Sequence, residues 1–247
     1  MIGALLWLNR KCKALAVRLN GGVHPKHCTN DPEQYWYMWF IHPEDHVLDL
    51  GCSHGAHTRR IAEKAGWTTG VDYDEEAIEA AYIKKKQWNI SYVVADLEKG
   101  LSGLPIGNDR WDVVVALDIL EHLHNRDQLL CDIHQVLKPD GLLLISVPNG
   151  CSWWRNLIAF TGNDNRHDPD HKREYSLVEI ETELRMAGFK DFVQVPTVID
   201  TPMVGIIDLI GCLSIPVYRS ITRFRRWLGA KFLHHAAGFN LVCKNGK

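Results

Sequence analysis

Three acidic residues stand where an apolar run gives way to a turn: Asp49 in VLDLGCSHGAHT, Asp72 in GVDYDEEAI and Asp96 in YVVADLE. The first turn carries Gly51, Ser53 and Gly55 and then enters a helical pattern at Thr58. Glycines at a strand-to-helix junction let the backbone approach a ligand. A carboxylate entering such a turn repels a pyrophosphate, which needs backbone N–H groups and a helix N-terminus, but it attracts an ammonium. Ser53 also stands where close pyrophosphate approach asks for glycine. Asp72 follows Gly51 by about twenty residues, the spacing of an acceptor for ribose hydroxyls. Asp96 is placed to accept from an adenine amino group. Singly, each acid is explained by a surface position or a helix cap; together they point to a nucleoside with a cationic tail. No G-x-x-x-x-G-K-[ST] is present, which argues against a P-loop nucleotidase.

These acids need a frame that brings strand ends together. Apolar, β-branched runs alternate with helical patterns from about residue 46 to 147, the signature of a parallel sheet with helices on both faces. Strands are expected at 46–50, 69–72, 91–95, 112–117 and 142–147, with two more at 189–195 and 239–243, and helices at 58–64, 75–87 and 126–137. Lys138-Pro139-Asp140-Gly141 reads as a helix stop and turn. Asn30-Asp31-Pro32-Glu33 reads as a helix cap opening the aromatic run YWYMWF, expected to pack on the sheet domain. Ser176 and Glu179 form a capping-box pattern. The domain reading is an N-terminal helical cap over 1–44 and a doubly wound α/β domain over 45–247, with a helical, apolar insertion at about 200–236.

The 247 residues, 46% hydrophobic and 23% charged, suffice for one substantial core. A net charge of −2 provides no general basic surface, so nucleic acid is disfavoured as a partner. Seven cysteines without a C-x-x-C pair read as free thiols in a reducing compartment. The opening MIGALLWLNRKCK lacks a signal-peptide pattern and no run reaches membrane-spanning length, so the expectation is an intracellular, cytoplasmic protein open to peripheral membrane contact.

VLDLGCSHGAHT, GVDYD, VVADLEK, WDVVVALDILEHL and LKPDGLLLISVPN stand in the order and spacing of the class I S-adenosylmethionine-dependent methyltransferases, which the segment from 45 to 195 resembles. The resemblance implies a Rossmann-like seven-stranded sheet of order 3-2-1-4-5-7-6 with the last strand antiparallel. It also implies S-adenosylmethionine as cofactor, with S-adenosylhomocysteine as product, held at Asp49, Gly51, Ser53, Gly55, Asp72, Tyr73, Asp96, Leu97 and Leu117. Ser53 departs from the family's glycine and is expected to tune affinity through its hydroxyl, an expectation that weakens if the position needs a left-handed backbone.

Methyl transfer to a hydroxyl is an in-line displacement that needs the proton removed or neutralised. Asp118-x-x-Glu121-His122 resembles the E-x-x-E-H segment of ubiquinone-biosynthesis O-methyltransferases and small-RNA 2′-O-methyltransferases, which implies a divalent metal such as Mg²⁺ on Asp118, Glu121 and His122. The bland alternative is that Glu121 and His122 organise the loop. Catalytic candidates are therefore Asp118 and His122, together with His171 in HDPDHKREYS, a general base or further metal ligand because imidazole titrates near neutral pH. Trp153 and Trp154 either stack on an acceptor ring or are buried under their loop.

Between the last two strands, the apolar stretch 203–215 precedes Arg219, Arg223, Arg225, Arg226 and Lys231 without a compensating acid. This insertion is expected to roof the acceptor pocket, with an amphipathic element on an anionic membrane, through 203–235, as the alternative. With HPKH at 24–27 and DPDHKREYS, it is loosely similar to polysaccharide-associated O-methyltransferases, which implies a sugar or other small hydroxylated acceptor. The competing readings are an RNA 2′-O-methyltransferase and a cofactor-binding, catalytically inert scaffold.

Overall fold

A computed structural model describes residues 2–25, 31–104, 110–166 and 168–246. Lys26 and His27 of HPKH, Asn30 of the expected cap and His167 lie outside them. The chain divides into two compact units: a sheet unit of residues 36–147, 170–195 and 240–247, and a helical unit of residues 1–35, 148–169 and 196–239.

Seven strands form one sheet: β1 (His46–Leu50), β2 (Trp67–Asp72), β3 (Ile90–Val94), β4 (Trp111–Leu117), β5 (Leu137–Pro148), β6 (Asp191–Val195) and β7 (Gly238–Lys244). Their order is β3-β2-β1-β4-β5-β7-β6. The first five run parallel, with Asp49 opposite Gly70 of β2 and Val115 of β4. β6 is antiparallel to β7. Val47, Leu48 and Leu50 of β1 and Val113 to Ala116 of β4 are buried, the continuous apolar run expected of strands covered on both faces. The connecting helices are α2 (Ala56–Ala62), α3 (Glu75–Lys84) and α4 (Arg126–Val136), and α6 (Leu177–Met186) leads into β6. Asp74 caps α3 by accepting the Ala77 N–H at 3.1 Å. At α6 the capping box is complete: the Ser176 hydroxyl accepts the Glu179 N–H, and the Glu179 carboxylate accepts the Ser176 N–H.

Two local expectations are corrected. Lys138 to Gly141 belongs to β5 instead of forming a free turn. The Asp140 N–H donates to the Asn245 carbonyl and the Asn245 N–H to the Gly141 carbonyl, so the C-terminal segment draws this stretch into the ladder while Asp140 keeps a turn-like φ of 62°. The aromatic run is a 3₁₀ segment, Pro32–Phe40, with its helical path broken at Tyr35 (φ −109°, ψ 41°). That break coincides with the division between the units, and residues 36–44 belong to the sheet unit. Trp36 and Tyr37 are core residues, and the Tyr37 hydroxyl meets His57 Nδ1 at 2.5 Å.

The helical unit contains α1 (Ile2–Leu19), α5 (Trp153–Phe160), α7 (Val204–Leu213) and α8 (Ile215–Lys231), so the expected insertion is helical. A hydrogen-bonded group organises it: Asp200 accepts from the Ser152 hydroxyl at 2.6 Å and pairs with Arg155 at 3.4 Å, and Asp208 pairs with His24 at 3.1 Å. Trp154 is buried, whereas Trp153 is partly exposed and donates its Nε1–H to the Asp200 carbonyl.

Removing the α6 cap with Ser176→Ala should cost about 1 kcal/mol. In a chain of this size that lowers the thermal midpoint by about 2–4 °C, read by circular dichroism. An unchanged midpoint would show that the cap carries no stability.

Candidate active site

The turn between β1 and α2 is built from three left-handed residues, Gly51 (φ 71°), Ser53 (φ 45°) and Gly55 (φ 67°). A Cβ on Gly51 would lie 2.8 Å from Ile119 Cδ1, and one on Gly55 would collide with the Tyr92 hydroxyl. Glycine is thus required at both positions for space as well as conformation. Gly51 and Cys52 donate their N–H groups to the Val71 carbonyl at 2.8 and 3.0 Å, fastening the turn to the end of β2. Ser53 donates its N–H to Asp72 Oδ2 at 2.7 Å, and Asp74 donates to Asp72 Oδ1 at 3.0 Å. A left-handed non-glycine residue is strained by about 1–2 kcal/mol, and the charge-assisted bond to Asp72 offsets that cost. The left-handed backbone weakens the expectation of tuning through the hydroxyl; what Ser53 visibly contributes is a backbone donor that orients Asp72.

Asp49 is 3% exposed and accepts the Thr58 hydroxyl proton at 2.6 Å. Burial, opposed by the Thr58 bond and reinforced by the charge of Asp72, raises its pKa to about 7. A buried carboxyl beside a second carboxylate is a receptor for a cation, because a positive group would relieve both desolvation and repulsion. Asp96 caps the short turn Leu97–Lys99 by accepting the Glu98 N–H at 3.0 Å. Leu97 is buried, Tyr73 is exposed and Leu117 lies between these extremes.

β4 delivers the second group. Asp118 has a φ of 52°, and its Oδ1 accepts the Ser146 hydroxyl proton at 2.8 Å. Three residues on, Glu121 is buried, and its carbonyl accepts the N–H groups of Lys172 at 2.7 Å and Arg173 at 3.2 Å. These two bonds tie the 170s segment to the end of β4 and bring His171 onto His122, with ring centroids 4.7 Å apart and planes at 86°. One ligand atom from each of Glu121, His122 and His171 lies within 4.8 Å of the others. Glu121 Oε2 is buried without a hydrogen-bond partner, and burial, with the charges of Asp118 and Glu174, raises the Glu121 pKa to about 8. Behind the group, Glu174 Oε1 meets His171 Nδ1 at 2.8 Å, His171 being buried and Glu174 half-buried.

Of the expected metal residues, Glu121 and His122 converge with His171, itself expected as a base or further ligand. Asp118 stays outside the convergent group, engaged with Ser146, while His171 enters it. Two imidazoles and one carboxylate suit a transition-metal dication better than Mg²⁺, which prefers oxygen donors. Sequence reading passed over Thr58, Ser146 and Glu174. Of these only Glu174, three residues from His171 in a polar loop, carried a visible signal; Ser146 is defined by its contact with Asp118 past the end of the neighbouring strand, and Thr58 by its contact from α2 back to β1.

Residues 48–145 match the methyltransferase domain family. The chain is 34% identical over 146 residues to a probable S-adenosylmethionine-dependent methyltransferase of Mycolicibacterium smegmatis, covering 58% of this chain and 51% of that protein. It is 31% identical over 117 residues to the ubiquinone biosynthesis O-methyltransferase of Coxiella burnetii, covering 47% and 46%. The chain thus spans about half the length of the curated relatives it matches. Among solved structures, a SAM-dependent methyltransferase from Archaeoglobus fulgidus superposes with a TM-score of 0.60 over 94% of this chain and 98% of that one; at 22% identity this is a likeness of fold. The sheet order is that of the methyltransferase Rossmann-like fold.

Asp49 generates a pH prediction. Its folded pKa near 7 exceeds the unfolded value of 3.8, so the native state holds the proton more tightly, and stability falls as pH rises from about 4 to about 7, then levels off. Asp49→Asn, which retains an acceptor for Thr58, should abolish this part of the slope and gain up to about 4 kcal/mol at pH 8. Urea denaturation across pH checks it; parallel profiles for the two proteins would refute the assignment.

Proposed function

We propose that this chain is an S-adenosylmethionine-dependent methyltransferase directed at a hydroxyl of a sugar or other small acceptor. The observation that carries the reading is the juxtaposition, at the carboxyl ends of neighbouring parallel strands, of a cation-receiving carboxyl pair, Asp49 and Asp72, with the Glu121–His122–His171 group. In doubly wound sheets ligands bind at this edge, beside the switch in strand order. The matched methyltransferase family supports the cofactor, and a relative named as an O-methyltransferase supports a hydroxyl acceptor.

The residues fit the cofactor: Asp49 would counter its ammonium, Asp72, preset by the Ser53 and Asp74 N–H groups, would accept ribose hydroxyls, and Asp96 with Leu97 would border the adenine. When bound, S-adenosylmethionine supplies an electrophilic methyl carbon on a sulfonium. His171 removes the acceptor's proton. Glu174 holds Nδ1–H, so the basic lone pair of the neutral ring is on Nε2, and it stabilises the imidazolium that forms. His122, edge-on to His171, restricts its rotation. A second reading follows from the partnerless Glu121 Oε2: Glu121, His122 and His171 would hold a divalent cation that lowers the hydroxyl pKa, with Glu174 as the support behind a ligand.

Calorimetric titration with S-adenosylmethionine and S-adenosylhomocysteine should show binding that weakens at least ten-fold in Asp72→Ala. Wild-type binding should strengthen as pH rises through about 7, where Asp49 ionises. Absence of binding, with the fold intact, would overturn the reading. On an acceptor found by screening hydroxylated compounds with labelled cofactor, His171→Ala should lower kcat about 10²–10⁴-fold while leaving cofactor affinity unchanged. Full turnover in that variant would reject the base. Loss of activity on chelation, with recovery on adding Zn²⁺ or Mn²⁺, would select the cation reading instead.

A further inference from the structure

Two helices of the helical unit are amphipathic in the reverse of the usual sense. On α1, the line facing α7 is small or polar: Asn9 accepts the Gly205 N–H through its side chain at 2.6 Å, Cys12 lies against Gly205, and the Ala16 carbonyl accepts from the Cys212 thiol. Large apolar residues point outward instead, Trp7 at 61% exposure with Leu8, Leu15 and Leu19. On α8, Tyr218 contacts Gly211 and Asp208, Arg225 donates to the Ile199 carbonyl, and Gly229 lies against the Thr197 carbonyl. Its outward line carries Val217, Phe224 at 59% exposure and Trp227 at 51%. Soluble helices bury their apolar stripe; these leave Trp7, Leu8, Phe224 and Trp227 exposed.

The cations follow the apolar residues. α1 carries Arg10, Lys11, Lys13 and Arg18, and α8 carries five Arg and Lys residues, with no acid in either helix, in a chain whose net charge is −2. Arg226 is engaged with Asp31 and Glu33, but Lys11, Lys13, Arg18, Arg223 and Lys231 are on the exposed side. Lys11 sits 5.7 Å from the Trp7 ring centroid and Lys231 4.1 Å from that of Trp227, while Phe224 stacks on Trp227 at 5.8 Å. An aromatic ring with an ammonium beside it matches the boundary between acyl chains and anionic headgroups, where the ring enters the interface and the cation meets phosphate. No helix among the described residues is long and apolar enough to cross a membrane, so the contact would be with one leaflet.

We infer that the outward faces of α1 and α8 dock on a bilayer surface carrying anionic phospholipid. Charge complementarity selects this occupant: a purely apolar partner would leave the cations unanswered, and an anionic polymer would leave Phe224, Trp227 and Leu8 in water. The inference is independent of methyl transfer and concerns surface residues outside the candidate active site.

The test is flotation of the full chain with vesicles of phosphatidylcholine alone and of phosphatidylcholine with phosphatidylglycerol, over a salt series. Binding should require phosphatidylglycerol and weaken with salt. Arg223→Gln and Lys231→Gln should each weaken it about five-fold, and Phe224→Ser with Trp227→Ser should remove the part that persists at high salt. Circular dichroism melts identical to the parent show that each variant is folded. Equal binding to both vesicles, no binding to either, or sedimentation of a stable dimer that Phe224→Ser with Trp227→Ser dissolves would each overturn the inference, the last in favour of a second copy of this chain.

Discussion

A carboxyl held out of water at the end of the central strand organises the sheet unit. Asp49 is buried in β1 with the Thr58 hydroxyl as its bonded side chain and Asp72 as a charged neighbour. Such a group is costly when ionised and alone, so its surroundings are arranged to restrain it. The three left-handed residues after β1 swing the chain away from it, and α2 returns Thr58 to it. Asp72 is turned toward the Ser53 and Asp74 N–H groups. This arrangement is poised for a cation, and the same desolvation that destabilises it in isolation would make a bound ammonium count for more.

A second restraint sets the geometry at the end of β4. The Glu121 carbonyl takes two N–H groups from the segment that carries His171, so a backbone atom of the residue that ends one element positions the side chain of another. Arg173 and Glu174 extend the restraint in opposite ways. Arg173 pairs with Glu183 at 3.0 Å and Glu179 at 3.1 Å, anchoring the segment to α6, while Glu174 stiffens the imidazole itself. A base or a ligand needs that kind of support, because a small displacement of the reacting group is enough to lose most of its rate advantage.

The helical unit follows another logic. Its interior is held by polar groups, Asp200 with Ser152 and Arg155, and Asp208 with His24, and small residues let its helices approach closely, as Gly205 does against Asn9 and Cys12. Trp154, Ile158 and Ile207 are buried there as well, while Trp7 and Leu8 of α1 and Phe224 and Trp227 of α8 stand exposed.

Sequence alone determined the elements that depend on local pattern. All seven strands were legible because each is a compact β-branched or apolar run, and the α6 cap was legible because Ser176 and Glu179 act within one turn. The three strand-end acids were legible for the same reason: a parallel sheet places every strand's carboxyl end on one edge, so chain position implies spatial position. The rest required contacts between distant residues. Asp140 and Gly141 became strand only because Asn245 bonds to them, and Tyr35 broke the aromatic helix at the division between units. His171 meets Glu121 and His122 while Asp118 turns to Ser146, because Ser146 and the Glu121 carbonyl, invisible in a motif, decide which side chains meet. Periodicity reports which face of an element is apolar, but only the folded chain shows which face is covered. On α8 it is Phe224 and Trp227 that the fold leaves exposed.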